Sequence, residues 1–568
     1  MPNRPTRAPV ALIALCLTLP SAAAVAEEAP ADPMRAEPKC VEGRAIAETP
    51  EGLPLEVGPC GGEAPGVPAP TVPSAPAAGP ADCLVPGFDD RCESWVAPRY
   101  DGPWSSADYP GFGSFDRHRT VLAHPTKDLV FVGGSSAYTN SGLPDSDFVN
   151  IAYRASTGQP VWTTTFEGLG DRTIAYQHSF ALSPDGDRLY TIGRAAVPAV
   201  YIYATVIAAF DTATGRLLWA RQAPISAEAI ETAMTTLPDE TVEERIYLGG
   251  VGGTTSPQGT TVLGGAAAAL DPDGGATIWS VRFAGETPDG ARFNEIVVSP
   301  DGSMVYAGGG EHGVSRLPMN LATVAYRAVD GERVWVSRDE RTRPDHGSNG
   351  ISDMGISGDG SRVLVTAFDT VPSNIIGTSS TSPILTVARD TATGEVAWRK
   401  TYGGPVDGET HFYFSLFQGM MAVSPDGKTA VVTASINSHN STGTVAYDIV
   451  TGAQKWGVES VETGYVFTNY LGYYPTAQVN GDRAFVSNRR GIGYGQYQTV
   501  TTAYTLASGA LEWTGRFGTN RALFGGNALT ADGKRLVVSA AEQIFAAGGL
   551  APNPNIDSID IVTVSYDA

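Results

Sequence analysis

The chain has 568 residues and a formal net charge of −22. That balance argues against nucleic acid as a partner, because phosphate binding relies on clustered Lys and Arg and no basic stripe is present. An apolar fraction of 42% is enough for a sizeable core, and 66 glycines with 40 prolines point to the many turns of an all-β chain.

Residues 1–26 read as a secretory signal. Arg4 and Arg7 form a charged start, residues 11–19 a short apolar run, and Ala24-Val25-Ala26 a small-residue cleavage site. The run is too short to span a bilayer, and no later stretch is long and apolar enough to serve as a transmembrane segment. Cys16 lies between Leu15 and Leu17, without the small residue that precedes a lipid-attachment cysteine. The mature protein is therefore expected to be secreted or held at the cell surface. Residues 27–82 are rich in Ala, Pro, Glu and Gly and lack aromatics, the composition of a disordered, partly extended linker. Four cysteines remain after cleavage: Cys40, Cys60, Cys83 and Cys92. An even count in an exported chain suggests disulfides. Three pairings are open, and proximity favours Cys40–Cys60 and Cys83–Cys92.

From residue 83 onward the chain repeats. Trp95, Trp162, Trp219, Trp279, Trp335, Trp398, Trp456 and Trp513 recur roughly every 60 residues, a period that marks a repeat architecture. Around them one motif returns, as in AYRASTGQPVW (152–162), AFDTATGRLLW (209–219), ARDTATGEVAW (388–398) and AYDIVTGAQKW (446–456). Each repeat holds four strand-like pieces. In MMAVSPDGKTAVVTA (420–434) two strands flank an Asp-Gly turn, TGTVAYD is a third, and the segment at Trp456 begins a fourth. Eight such repeats predict an eight-bladed β-propeller of four-stranded antiparallel blades over residues 83–568. The last repeat stops after its third strand, VTVSYDA, while RCESWVAPRYDG (91–102) is a fourth strand with no preceding three. The N-terminal strand should therefore complete the last blade and close the ring. A Cys83–Cys92 bridge would pin that strand. The repeated tryptophans are expected to pack blade against blade.

The A-x-D-x-x-T-G-x-x-x-W pattern resembles the quinoprotein, or PQQ-like, β-propeller repeat; AFDTATGRLLW and AYDIVTGAQKW carry the likeness, which extends over roughly residues 88–568. The family includes quinone-dependent alcohol dehydrogenases and non-enzymatic scaffolds. The resemblance implies, for a dehydrogenase, a quinone stacked on a tryptophan, often beside a vicinal disulfide, with Ca²⁺ held by Glu, Asn and Asp. This chain has no adjacent cysteines, and Trp104 is its one tryptophan outside the repeat. Trp104 is thus the stacking candidate, and no catalytic or metal residue is carried over.

The repeat also places the loops. Turns between strands one and two, and between three and four, are short and share one face. Loops between strands two and three, and from blade to blade, share the other face and are expected to be long, where function concentrates. His178, His312, His346 and His411 map to that face, with His439 and His118 beside them. Histidine is a frequent metal ligand and acid/base group, but no pair has ligand spacing. Aromatics gather there too: Tyr413 near His411, then Tyr470, Tyr473 and Tyr474, then Tyr494. Such residues suit stacking on sugar rings or anchoring a partner. Asp145 and Asp147 lack the full calcium-loop pattern and fit ordinary turns. No nucleophile elbow, zinc-protease motif or phosphate loop occurs. The expected function is a monomeric binding or scaffold protein that holds a glycan or protein partner on its long-loop face, with no cofactor assigned and Ca²⁺ or PQQ left open. The alternative is a dehydrogenase using PQQ and Ca²⁺, with a metal-assisted polysaccharide lyase or hydrolase behind it.

Overall fold

The computed structural model describes residues 94–97, 121–140, 143–169, 176–197, 202–255, 261–285, 290–312, 319–339, 351–368, 384–403, 420–436, 441–461, 475–493, 496–517, 522–545 and 556–568, with backbone strands between 39 and 59. The chain divides into two units, residues 1–63 and 64–568. In the first, Lys39–Val41, Arg44–Glu48 and Pro54–Pro59 form a three-stranded antiparallel sheet. These strands lie within the segment expected to be a linker. Cys40 sits in the first of them; Cys60, Cys83 and Cys92 lie outside the described residues.

The second unit is an eight-bladed β-propeller of four-stranded antiparallel sheets. Blade one runs from Val121 to Phe166 and blade eight from Ala522 to Asp567 plus the strand Trp95–Val96. The described residues contain no helix, hence none long and apolar enough to cross a membrane. Ring closure is as the sequence predicts. Val96 pairs with Val564 and Trp95 with Ser565. The Ser94 and Ala97 amides donate to the Ser565 and Thr563 carbonyls at 2.6 and 2.9 Å.

The repeat motif has a direct packing cause. Each motif glycine has a positive φ, between 67° and 75°, which glycine adopts without the Cβ penalty. The tryptophan of the preceding blade lies against it: Trp162 on Gly215, Trp219 on Gly275, Trp398 on Gly452 and Trp456 on Gly509. The indole N–H then donates to a carbonyl in the same turn of that next blade, as from Trp162 to Thr212 at 2.9 Å and from Trp398 to Ile449 at 2.7 Å. Trp95 does the same to Gly158 and Ala155 of blade one. A buried indole thus keeps its donor satisfied while covering apolar surface.

The core is divided among the blade interfaces. Eight hydrophobic clusters each draw residues from two neighbouring blades. One of them joins Val537 and Ala528 of blade eight to Val121, Val130 and Tyr153 of blade one. Burying apolar surface between blades, at about 25 cal/mol per Å², is what holds the ring shut.

Candidate functional site

The first strands of successive blades pack side by side around the ring. Their starts, with the ends of the second strands, belong to the long-loop face. At this level blades two, three, four and eight carry a β-bulge in the first strand. In blade three Ala227 pairs with Gly250 and Ala229 with Gly249, so Glu228 is the unpaired residue. The equivalent residues are His178 in blade two and Asn294 in blade four. A bulge re-aims a side chain and tightens the local twist. Glycines on the second strand permit it: a Cβ on Gly250 would collide with the Ser226 carbonyl, and one on Gly309 with that of Arg292.

Glu228 is buried and lies between two arginines. Arg194, from the second strand of blade two, places Nη2 2.8 Å from its Oε1, and Arg292, from the first strand of blade four, places Nη2 3.3 Å from the same atom. The Glu228 side chain is 7% exposed, against 43% for each arginine. One carboxylate with two guanidiniums leaves a net positive centre within an acidic protein. The group lines a cavity of about 600 Å³. Ala223, Pro224, Ile225 and Leu263 supply apolar wall, and Gln222, Ser226 and Thr205 supply polar groups. Thr205 Oγ1 accepts from the Ala227 amide at 3.1 Å and so fixes the start of the bulged strand to blade two.

Polar side chains at the same level tie other blades together. Asn294 donates from Nδ2 to the Ile351 carbonyl. Asp353, almost fully buried, accepts from the Met354 and Met421 amides, both at 2.8 Å, and thereby joins blade five to blade six. Asn527 accepts from Thr476 and donates to Ser487, at 2.8 Å each, across blades seven and eight. Beside the cleft, buried Glu311 accepts from Arg338 Nε at 2.7 Å, and Arg338 lies 5.6 Å from the Phe283 ring centre. A guanidinium over an aromatic face is a cation–π pair.

The sequence expectations meet this geometry unevenly. The two-face mapping agrees with the strand pairing, but the loops of the long-loop face are not uniformly long. Strand Asn140 is followed at once by Leu143 and Gly493 by Gln496 across tight hairpins. Blade two passes to blade three through residues 223–225 alone, and this short crossover forms one wall of the cleft. His178 lies within the strand Tyr176–Leu182 rather than in a loop, and His312 ends the strand Met304–His312. The physical reason is that strands here run on to the rim, so polar residues near the rim still pair. Trp104, His346, His411, Tyr413, Tyr470, Tyr473, Tyr474 and Tyr494 lie outside the described residues, as do His118 and His439. Arg194, Glu228 and Arg292 escape the sequence reading, since each stands in a strand and they come from three blades. The available signal is the Gly-Gly pairs at 249–250 and 308–309, which mark strands where another backbone approaches closely.

The resemblance to quinoproteins calls for a tryptophan platform and oxygen ligands for Ca²⁺. No tryptophan lines the cleft, and among the described residues no three His, Cys, Asp or Glu are grouped to hold a metal ion.

A family model described as outer membrane protein assembly factor BamB matches residues 147–343. No curated protein matches the sequence. Among solved structures the chain is similar to a quinohemoprotein alcohol dehydrogenase from Comamonas testosteroni, with 12% identity, a TM-score of 0.43, and coverage of 84% of this chain and 76% of that one. It is also similar to the periplasmic gluconolactonase of Pseudomonas aeruginosa, with 16% identity, a TM-score of 0.36, and coverage of 63% of this chain and 94% of that one. A hydrazine synthase from Kuenenia stuttgartiensis is 15% identical with a TM-score of 0.36, over 60% of this chain and 79% of that one.

Proposed function

We propose that this PQQ-like β-propeller, whose residues 147–343 match the family model, is an exported binding protein that holds a glycan or protein partner on its long-loop face. The observation that carries this reading is the cleft of blades two to four, where Arg194, Glu228 and Arg292 converge on a cavity of about 600 Å³. That volume falls within the range of roughly 300–1,000 Å³ common for small-ligand sites. The cleft lies on strands hydrogen-bonded into the blades: those of Glu228 and Arg292 each pair with one neighbour, and that of Arg194 pairs on both sides. Fold alone does not assign an activity, so the site rather than the propeller supports the reading. The sequence expectation adds Tyr473 and Tyr474, which lie outside the described residues, as further candidates for partner contact.

The test is ligand binding by the mature protein against immobilised glycans and extracytoplasmic proteins, repeated with Arg292→Gln. A ligand whose capture falls in the variant supports the cleft. A ligand captured equally by both proteins moves the site elsewhere. Melting with pyrroloquinoline quinone plus Ca²⁺ serves as the contrary arm. A ligand at 100 times its Kd adds about 2.7 kcal/mol of stability, and a shift needing both components would replace the binding reading with a dehydrogenase.

A further inference from the structure

We propose that the cleft of blades two to four selects a carboxylate-bearing sugar, a uronate, through Arg194 and Arg292; this rests on the binding reading above and names its ligand class. The argument begins with charge. The chain carries −22 overall, so its general field repels anions. One arginine is enough to neutralise Glu228, yet two point at the same Oε1. One carboxylate against two guanidiniums leaves one positive charge uncompensated, and both arginines are partly exposed and line the cavity. Each guanidinium has five N–H donors in a fixed fork that matches a carboxylate. Among the described residues, each gives Glu228 only Nη2. Glu228 acts here as a positioning residue, holding two cations that would otherwise repel.

The remainder of the cleft suits a sugar ring. Pro224, Ile225 and Leu263 offer apolar surface, and Leu263 is 51% exposed. A pyranose presents one face of C–H groups to such a wall. Gln222 and Ser226 line the same cavity and supply polar groups that can pair with ring hydroxyls. A purely aliphatic acid would leave those polar groups unused, and a neutral sugar would leave the second positive charge of the cluster uncompensated.

The experiment is calorimetric titration of the mature protein with glucuronate, galacturonate and mannuronate, with their oligomers, and with the methyl esters of each. Arg292→Gln, which keeps Glu228 paired to Arg194, is titrated in parallel after its melting curve shows it folded; Arg292→Lys is the second variant. The expected result is uronate binding that weakens about tenfold or more on esterification and again in Arg292→Gln, since a charge-assisted hydrogen bond is worth roughly 1.5–3 kcal/mol. Binding should weaken with added salt. Lysine should restore only part of the loss, because it lacks the fork. Binding of free monosaccharides would identify soluble acids as the source, and binding of oligomers alone a polysaccharide. Equal affinity for acid and ester overturns the uronate proposal. If a neutral glycan binds and Arg292→Gln weakens it, the binding reading survives while the uronate proposal fails. If no saccharide binds, the uronate proposal fails and the partner screen decides the broader reading.

Discussion

Asp339 and Arg389 form a buried ion pair between blades four and five, at two positions where most other repeats are apolar or aromatic. Asp339 stands four residues after Trp335, where Phe166, Phe283, Tyr402 and Phe517 stand in other blades. Arg389 occupies the second position of the motif, held by Tyr153, Phe210, Tyr326, Tyr447 and Tyr504 elsewhere. The Arg389 side chain is 0% exposed and also donates to Ser337 Oγ at 2.5 Å, while Arg399 approaches Asp339 at 3.6 Å. Burial pulls the guanidinium below its ordinary pKa, and the charge of Asp339 opposes that pull. Asp339→Ala should therefore destabilise the protein by about 3–5 kcal/mol, the cost of leaving a buried charge alone. Asp339→Phe with Arg389→Tyr, which restores the repeat residues, should recover most of that loss. Urea unfolding of the two singles and the double checks this. A double mutant as weak as Asp339→Ala would show that the site does not accept the repeat pair.

Ring closure yields a second prediction. Trp95 joins blade eight to blade one by donating to the Ala155 carbonyl and by lying on Gly158. Gly158 has φ 70°, and a Cβ there would collide with the indole. Trp95→Ala should cost about 3 kcal/mol, toward the lower end for a buried aromatic because the ring is only half-buried. Gly158→Ala should cost about 1–3 kcal/mol from overpacking. The two should be non-additive, since removing the indole removes the collision. Strict additivity in a double-mutant cycle would mean that the closing contact is not formed in solution.

His124 provides a pH dependence. It is fully buried at the end of the first strand of blade one, where other blades have Ser183, Ser299, Ser357 and Ser424. Its Nδ1 accepts from the Thr126 and Lys127 amides at 3.0 and 2.9 Å, so the neutral ring carries its proton on Nε2. Burial, then the charge of Lys127, lowers its pKa. With the folded pKa below the unfolded value of about 6.5, the unfolded chain binds the proton first. Stability is thus intact above pH ~6.5 and falls as pH drops toward the folded pKa. His124→Ser should flatten this limb. Melting temperatures of both proteins between pH 8 and 5 decide it, and parallel curves would refute the assignment.

Which features were legible follows from how local their cause is. Trp398 and Gly452 recur at fixed spacing because each blade repeats the same contact, so period and turn chemistry suffice to read the ring and its closure. The pairing of Arg194, Glu228 and Arg292 has no period. It depends on a bulge in one strand and on a three-residue crossover between two blades. Histidines stand out by their chemistry, yet His178 occupies in blade two the bulge position that Glu228 occupies in blade three, which only strand registration reveals. Arg389 lay in plain view as the one basic residue at its motif position, but its partner Asp339 comes from the preceding blade.

Glu240 is the last point of departure from the repeat. Blades two and four turn on SPDG, with Gly186 and Gly302 at φ 80° and 67°, whereas blade three turns on LPDE with Glu240 at φ 70°. It is the one residue other than glycine with positive φ among the described residues. The turn still closes: the Glu240 amide donates to the Leu237 carbonyl at 3.0 Å and the Leu237 amide to that of Thr241 at 2.7 Å. A side chain in the left-handed region costs about 1–3 kcal/mol, and glycine's extra unfolded-state freedom offsets about 0.4–1 of that. Glu240→Gly should therefore stabilise the protein by about 1 kcal/mol. The reverse experiment is Gly302→Ala, where the added Cβ would strike the Met234 carbonyl and stability should fall. Thermal unfolding of both variants gives the sign. A lower melting temperature for Glu240→Gly would mean that the glutamate side chain makes a compensating contact in solution that outweighs its backbone strain.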